Sequence, residues 1–529
     1  MKKRKIYYPL FLALAVAFGI FIGSMLDYPQ KNAALLFSNN SQEAKIKRLI
    51  NYIQYDYVDK VDTDSLLDGT IRNILSKLDP HSVYIPASEH DALAESMNGE
   101  FVGVGIRFFM HNDTLTVTSV VKDGPSAKAG VEAGDRILIA DNDTLYGKNL
   151  DSNFIIKKLK GEPNTKVKIR VYRKYKDTLL NFTLKRGTIP LVSVPSYYML
   201  TDTLGYIKID KFANTTYNEF KTAMNSLLKK NMKRLVLDLR GNPGGYLNIA
   251  TEIIDEFLED DKLIVFTKNK GGKIEKTFAT SKGDFENNQI YVLIDETSAS
   301  ASEIVAGALQ DNDKGVIVGR RSFGKGLVQQ EMELGDGSAV RLTVSRYYTP
   351  TGRSIQKPYN TKDGKSYYND RLERYRNGEL THGDSIKVVD SLKYITPKGK
   401  SVYGGGGIVP DIFVSIDTMA YFGRFHFGPI QDFVFEYLDN HRETMNHWNV
   451  NDFIENFDND EKILNEYLSL FDDQSKIAVE SIPYIKLYIK SLIARDLFDE
   501  NVFYQILNED DQMLQKVKQL ESQVDYLEP

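Results

Sequence analysis

Between residues 205 and 355 the chain alternates between two periodicities, and no other feature restricts its fold so much. Short apolar, β-branched runs at 234–239, 263–267, 290–294 and 316–319 each have the length of one buried strand, and helical spacing takes over at 247–259 and 300–311. Strands alternating with helices predict a layered core whose chemistry sits on the turns. With 42% hydrophobic residues among 529, the chain has the material for several such cores.

Two helical regions and a β-rich region flank that core. Apolar residues recur at helical spacing over 41–78 (Ile46, Leu49, Ile50, Ile53, then Leu66, Leu67, Ile71, Ile74), and Asp79-Pro80 ends the pattern. Strand-like runs at 101–108, 113–121, 135–141, 166–174 and 178–185 leave room for short helices at 126–130 and 152–159. Residues 357–400 read as a polar, Tyr-rich surface insertion or flap. After 418 helical spacing returns, as in Ile485, Ile489, Leu492, Ile493 and Leu497 behind Pro483. The expected organisation is multidomain α+β: 1–27 a membrane anchor or signal segment, 28–98 helical, 99–187 β-rich, 188–417 the core, and 418–529 a helical accessory domain.

Lys2, Lys3, Arg4 and Lys5 precede a run over 7–26 without an ionised side chain, about the length that spans a bilayer. The basic flank predicts a cytoplasmic N-terminus and export of the remainder: a single-pass protein of the bacterial inner membrane facing the periplasm. A cleaved signal segment is the alternative, with Gly23-Ser24 as small residues for cleavage. The net charge of −5 is spread over both signs and gives no electrostatic footprint for nucleic acid. The absence of cysteine excludes disulfide frameworks, Cys-based zinc sites, thiol nucleophiles and lipid attachment at an N-terminal cysteine.

The strand 291–294 runs through Asp295-Glu296-Thr297-Ser298-Ala299 into a helix opening with Ser300-Ala301-Ser302-Glu303. Such a turn presents a hydroxyl at the positive end of a helix dipole, beside unpaired N–H groups able to stabilise an oxyanion. Ser300 with Glu303 fits a helix-capping box equally, and Ser298 and Ser302 offer the same hydroxyl. Gly324-Lys325-Gly326 places a lysine between two glycines just after a buried strand, where packing can drive its pKa down and make a general base. It lacks the glycine spacing and following Ser/Thr of a phosphate-binding loop. The seven histidines leave 112–381 empty, which argues against a Ser-His-Asp triad within the core and against a trypsin-type protease. A Ser-Lys pair remains.

Two resemblances sharpen this reading. Val120-Val121-Lys122-Asp123-Gly124-Pro125-Ser126-Ala127 through Gly134-Asp135-Arg136-Ile137-Leu138 resembles the PDZ family. Leu237-Asp238-Leu239-Arg240-Gly241-Asn242-Pro243-Gly244-Gly245, Ser298-Ala299-Ser300-Ala301-Ser302-Glu303-Ile304 and Phe323-Gly324-Lys325-Gly326-Leu327-Val328-Gln329, in that order, resemble the carboxyl-terminal processing peptidases, the tail-specific proteases of family S41. The resemblance continues to Gly404-Gly405-Gly406-Gly407-Ile408-Val409-Pro410-Asp411.

It implies a crotonase-like protease core with an inserted PDZ domain, and a serine endopeptidase that cuts exported proteins near their C-termini. Ser300 would be the nucleophile, Lys325 the base and Gln329 the residue orienting that lysine. Gly245 and Ala301 would supply the oxyanion hole, and Asp311 would be a structural or catalytic acid. Val104, Gly105 and Ile106 would belong to the loop that captures a substrate's terminal carboxylate. No metal or cofactor is required. The implied partners are proteins or peptides with apolar C-termini, the membrane through the N-terminal segment, an adaptor lipoprotein and further copies of the chain. A PDZ scaffold on a degenerate protease fold is the rival reading, although nucleophile, base and orienting residue are all retained here.

Overall fold

The computed structural model describes residues 13, 15–16, 41–147, 150–360, 364–417, 428–457, 461–471 and 477–524. The anchor or signal segment expected over 1–27 lies almost wholly outside the described residues. Among the described residues no helix is long and apolar enough to cross a membrane. The chain divides into two units after Leu75. Among the described residues the first carries the helices Ser41–Asp56 and Thr63–Leu75.

Within the second unit, residues 106–185 build a six-stranded antiparallel sheet. Its order is Ile106–His111, Thr114–Val120, Asp135–Ala140, Lys166–Arg173, Thr178–Lys185, with a short strand Asp143–Thr144 beside the third. Alternation does the folding: Val167, Ile169 and Val171 point inward onto Leu115, Val117 and Ile137, and Ile155 and Leu159 of the helix Ser152–Leu159 close the core. The single strand expected over 101–108 is two strands. Glu100–Gly103 pairs with Gly187–Pro190, and Ile106–His111 pairs with Thr114–Val120. The break falls at Gly105, whose φ of +76° takes the backbone into the left-handed region.

The layered core is a six-stranded sheet in the order Ser196–Met199, Leu204–Lys208, Arg234–Asp238, Gln289–Ile294, Gly315–Gly319, Ile412–Phe413. The first pair is antiparallel and the rest are parallel. Ile207, Leu235, Leu237, Ile290, Val292 and Ile317 face the helices Thr216–Leu228, Leu247–Asp255 and Ala301–Asp311. Tyr206, Val236, Tyr291, Leu293 and Val318 face Met513, Leu514 and Val517 of the helix Gln512–Val524. Both faces are therefore apolar, which is why these strands read as continuous hydrophobic runs. The run at 263–267 is not in this sheet. As Leu263–Asn269 it joins an antiparallel sheet with Ile274–Phe278 and Ala339–Tyr348, to which Val83–Ile85 and Leu327–Glu333 also pair.

The C-terminal residues pack in two places. Helices between Gly428 and Leu507 form their own apolar cluster, centred on Phe453, Tyr467, Ile485, Ile489 and Leu492, while Gln512–Val524 packs on the six-stranded sheet of the layered core. The helical cluster also bridges the other domains. Phe435 packs on Phe109 and His111 of the β-rich domain, and Asp439 accepts a bidentate pair from Arg136 (2.8 and 2.6 Å) and a third bond from Lys174 (2.9 Å). On the side of the layered core, Asn501 bonds Ser196 and Tyr197, and Asn508 bonds Tyr198.

Candidate active site

The strand Gln289–Ile294 ends at a turn that Asp295 shapes, its Oδ1 accepting from the N–H groups of Thr297 (2.9 Å) and Ser298 (3.0 Å). Three serines follow, and the fold gives them different tasks. Ser298 Oγ donates to the Leu239 carbonyl (2.8 Å) and Ser302 Oγ to the Asn242 carbonyl (3.0 Å), and both residues are fully buried. They fasten this turn to the 239–245 loop. Ser300 is half-buried and sits at φ 56°, ψ −113°, a sparsely populated conformation for a residue with a Cβ. It precedes the first turn of the helix Ala301–Asp311, so the oxyanion argument and the capping box coexist: its N–H donates to Glu303 Oε2 (2.9 Å).

The glycine pair 244–245 backs directly onto this serine. A methyl on Gly244 would lie 2.7 Å from Ser300 Cβ and 3.0 Å from the Ala301 nitrogen. One on Gly245 would lie 2.2 Å from the Phe212 carbonyl oxygen. Both have positive φ, 104° and 149°, so side chains are excluded by space and by conformation.

Lys325 arrives from the loop after Gly315–Gly319. Its flanking glycines admit a second loop: Cβ atoms at 324 and 326 would come within 3.0 Å of Lys357 Cβ and of the Gln356 nitrogen. The amine donates to Gln329 Oε1 (2.8 Å). Burial, followed by the charge of Arg341, lowers its pKa from 10.5 to about 8 against the opposing charges of Glu303 and Asp79.

Two buried groups hold Ser300 and Lys325 together, and neither was singled out for this task in the sequence. Glu303 Oε2 accepts from the backbone N–H of Ser300 (2.9 Å) and of Lys325 (2.8 Å), while Oε1 accepts from Gly324 N–H (2.7 Å) and Ser322 Oγ (2.5 Å). Burial pushes this carboxyl's pKa up, and the four donors oppose that shift. The Tyr347 hydroxyl reaches the carbonyls of Lys325 (2.6 Å) and Ser300 (3.2 Å). Glu303 was visible only as the fourth residue of a capping box, and Tyr347 carried no signal at all.

His81 is the third residue that sequence reasoning passed over. It approaches from the turn after Asp79-Pro80; its carbonyl accepts from Gln329 Nε2, and its Nε2 pairs with the Tyr367 hydroxyl (2.8 Å). Burial and then the Lys325 charge depress its pKa to about 4, so the imidazole is neutral at ordinary pH.

The remaining predicted residues stand apart from this cluster. Asp311 is fully buried at the far end of the helix, bound to Arg353 (2.7 Å) and to the Thr351 hydroxyl (2.6 Å) and N–H (3.1 Å). Val104, Gly105 and Ile106 lie in the β-rich domain: the Val104 carbonyl accepts from Ser126 N–H and Oγ, the Gly105 carbonyl from Val121 N–H. Ile106 starts the strand at the end of its sheet, whose outer edge pairs with no other strand among the described residues. Among the described residues no cluster of acidic, histidine or cysteine side chains is arranged to hold a metal.

Several parts of the chain match known protein families. Residues 203–365 match the model of peptidase family S41, 102–185 that of the PDZ domain, and 25–88 that of the activating protease CtpB N-terminal domain. Residues 425–499 match a family of unknown function. The chain is 35% identical to carboxy-terminal processing protease CtpB of Bacillus subtilis, over 64% of this chain and 72% of that one. It is 34% identical to the carboxy-terminal-processing protease of Bartonella bacilliformis (69% and 85% covered) and 31% identical to a probable CtpA-like serine protease of Staphylococcus haemolyticus (71% and 75%). With the backbone N–H groups of a half-buried serine and a half-buried lysine joined on one carboxylate oxygen, and relatives of this similarity over most of their length, the chain belongs to peptidase family S41 as a carboxy-terminal processing protease, a serine-type peptidase carrying a PDZ domain.

Proposed function

We propose that this protein is an exported endopeptidase that works through a Ser300–Lys325 dyad on proteins whose C-termini its PDZ domain captures. The observation that carries the reading is the Glu303 carboxylate, one oxygen of which binds the backbone N–H groups of both residues at 2.9 and 2.8 Å. Ser300 Oγ attacks the substrate carbonyl, and the neutral Lys325 amine takes its proton and returns it to the leaving amine. Water then hydrolyses the acyl-enzyme by the same proton route in reverse. Gln329 orients the lysine, and the N–H groups of Gly245 and Ala301 stabilise the oxyanion. Asp311, neutralised by Arg353, acts as a structural carboxylate. A substrate's final residues add a strand to the free edge of Ile106–His111, with the terminal carboxylate on the backbone of Val104, Gly105 and Ile106. A crotonase-like fold of the core, attachment through residues 1–27 with the catalytic part on the periplasmic side of the inner membrane, an adaptor lipoprotein and self-assembly belong to the same proposal.

The test is incubation of the full chain with an unfolded protein ending in apolar residues, followed by mass spectrometry, beside Ser300→Ala and Lys325→Ala. Cleavage by the unmutated chain and by neither variant is the expected result. Binding of the C-terminus with no cleavage under any condition would turn the reading to a scaffold, and cleavage by Lys325→Ala would remove the dyad.

A further inference from the structure

A glutamine that orients a lysine has an orientation problem of its own. The head of Gln329 carries an acceptor and a donor on one planar group, and only the acceptor is of use to an ammonium or amine that donates. Turned over, the amide would aim N–H at Lys325. Its orientation is decided on the far side, where Nε2 meets the carbonyl of His81, a group that can only accept.

That carbonyl is held by a turn with no freedom left. Asp79 is buried, and its Oδ1 accepts from His81 N–H (2.8 Å), Ser82 N–H (2.9 Å) and Thr343 Oγ1 (3.1 Å), while Oδ2 accepts from Ser82 Oγ (2.6 Å). Ser82 Oγ in turn accepts from Thr343 N–H (3.2 Å). Thr343 is the residue paired with Gln329 in the neighbouring strand, so the turn is fastened at the register position of the glutamine it serves. From the other side, Tyr368 donates to the Pro80 carbonyl (2.5 Å) and the Tyr367 hydroxyl meets the His81 ring. The next residues, Val83–Ile85, continue onto Ala339–Arg341 as a strand.

We propose that the Asp79–Ser82 turn is a positioning element for the general base: Asp79 fixes the His81 carbonyl, the carbonyl fixes the Gln329 amide, and the amide presents its oxygen to Lys325. This rests on the reading of Lys325 as the base. Asp79 is a positioning residue, acting entirely through Gln329.

The test is a double-mutant cycle on the full chain in detergent, with Asp79→Ala, Gln329→Ala and the pair, reading kcat, KM, the pH profile of kcat/KM and the thermal midpoint. Asp79→Ala alone is expected to lower kcat about tenfold or more, the scale of loss for a misplaced catalytic group, with KM within about twofold. It should shift the acid limb of the profile as Gln329→Ala does. In the Gln329→Ala background the same substitution should cost less than about twofold in kcat. Asp79→Asn, which keeps an acceptor for the turn, should restore most of the rate; if Asp79→Ala does not fold, Ser82→Ala, which removes the bonds of Ser82 Oγ to Asp79 and Thr343, replaces it in the cycle with the same expected pattern. Equal losses in both backgrounds, or a loss in thermal midpoint with kcat and the pH profile unmoved, would overturn the proposal. Lys325→Ala run alongside separates the two levels: retained cleavage removes the dyad and this inference with it, whereas a dead Lys325→Ala with multiplicative Asp79 and Gln329 effects removes the inference alone.

Discussion

On the proposed Ser300–Lys325 dyad, the protonation of Lys325 sets a measurable limit on the rate. The structure lowers its pKa from 10.5 to about 8, and only the neutral amine can take the proton from Ser300. The neutral fraction then rises from about 1% at pH 6 to about half at pH 8, roughly fifty-fold, whereas an amine left at its ordinary value would be about 0.3% neutral at pH 8. The environment of Lys325, burial first and the Arg341 charge second, therefore supplies on the order of a hundredfold in working base. For an internally quenched peptide with an apolar C-terminus, kcat/KM measured between about pH 6 and 10 should climb tenfold per unit and level off above 8. The perturbation is Arg341→Gln. Arg341 is the second cause of the depression after burial, so removing its charge moves the midpoint upward and lowers the rate at neutral pH. A profile flat across this range would refute the argument, as would an Arg341→Gln midpoint that fails to rise. A midpoint between 6 and 7 would point to an imidazole, yet the His81 beside the site is held at about 4.

Three further outcomes follow from buried charges. Lys325→Met should abolish cleavage yet raise stability by about 3 kcal/mol below pH 8, because a group with a lowered folded pKa is charged at a cost there. That gain should fade between about 8 and 10.5 in urea titrations; a gain constant over the range would contradict the assignment. Asp311→Ala leaves Arg353 buried without its carboxylate and should cost about 3–5 kcal/mol, while kcat/KM per folded molecule stays within about threefold. A selective loss of kcat with stability intact would make Asp311 catalytic. Asp439 is buried, which would raise its pKa, but its bonds to Arg136 and Lys174 outweigh this and hold it below the ordinary value. Its contribution is present at neutral pH and lost as pH falls through that depressed pKa. Hydrogen exchange should therefore show Gly428–Asn440 and Asp135–Ala140 losing protection together in acid, and in Asp439→Ala at pH 7; unchanged protection would refute the clamp.

Local patterns were sufficient for much of this molecule. The β-branched runs at 234–239, 290–294 and 316–319 became adjacent parallel strands because their continuous apolarity requires burial on both faces. The glycines around Lys325 mark the close passage of a second loop, Gly244 marks contact with Ser300, and Gly245 marks contact with the Phe212 backbone. The local pattern left the choice among three serines open, and the resemblance alone pointed to Ser300: Ser298, Ser300 and Ser302 share one pattern, and the carbonyls of Leu239 and Asn242, some sixty residues earlier, take up the outer two. The run at 263–267 has the same composition as the core strands, and its place in another sheet depends on partners its own residues do not name.

What the sequence determined by itself is therefore the local chemistry: the periodicities, the sharp turns, the one lysine set between glycines and the order of the three motifs. Tertiary structure decided which of these groups meet. Gln329 touches His81 across 248 residues, Glu303 joins the turn of Ser300 to the loop of Lys325, and Gln512–Val524 covers the outer face of the protease sheet. The physical reason is that a turn or a period is fixed by neighbours within a few residues. A contact between distant segments is fixed only when both are buried in one core and their hydrogen bonds must be satisfied there.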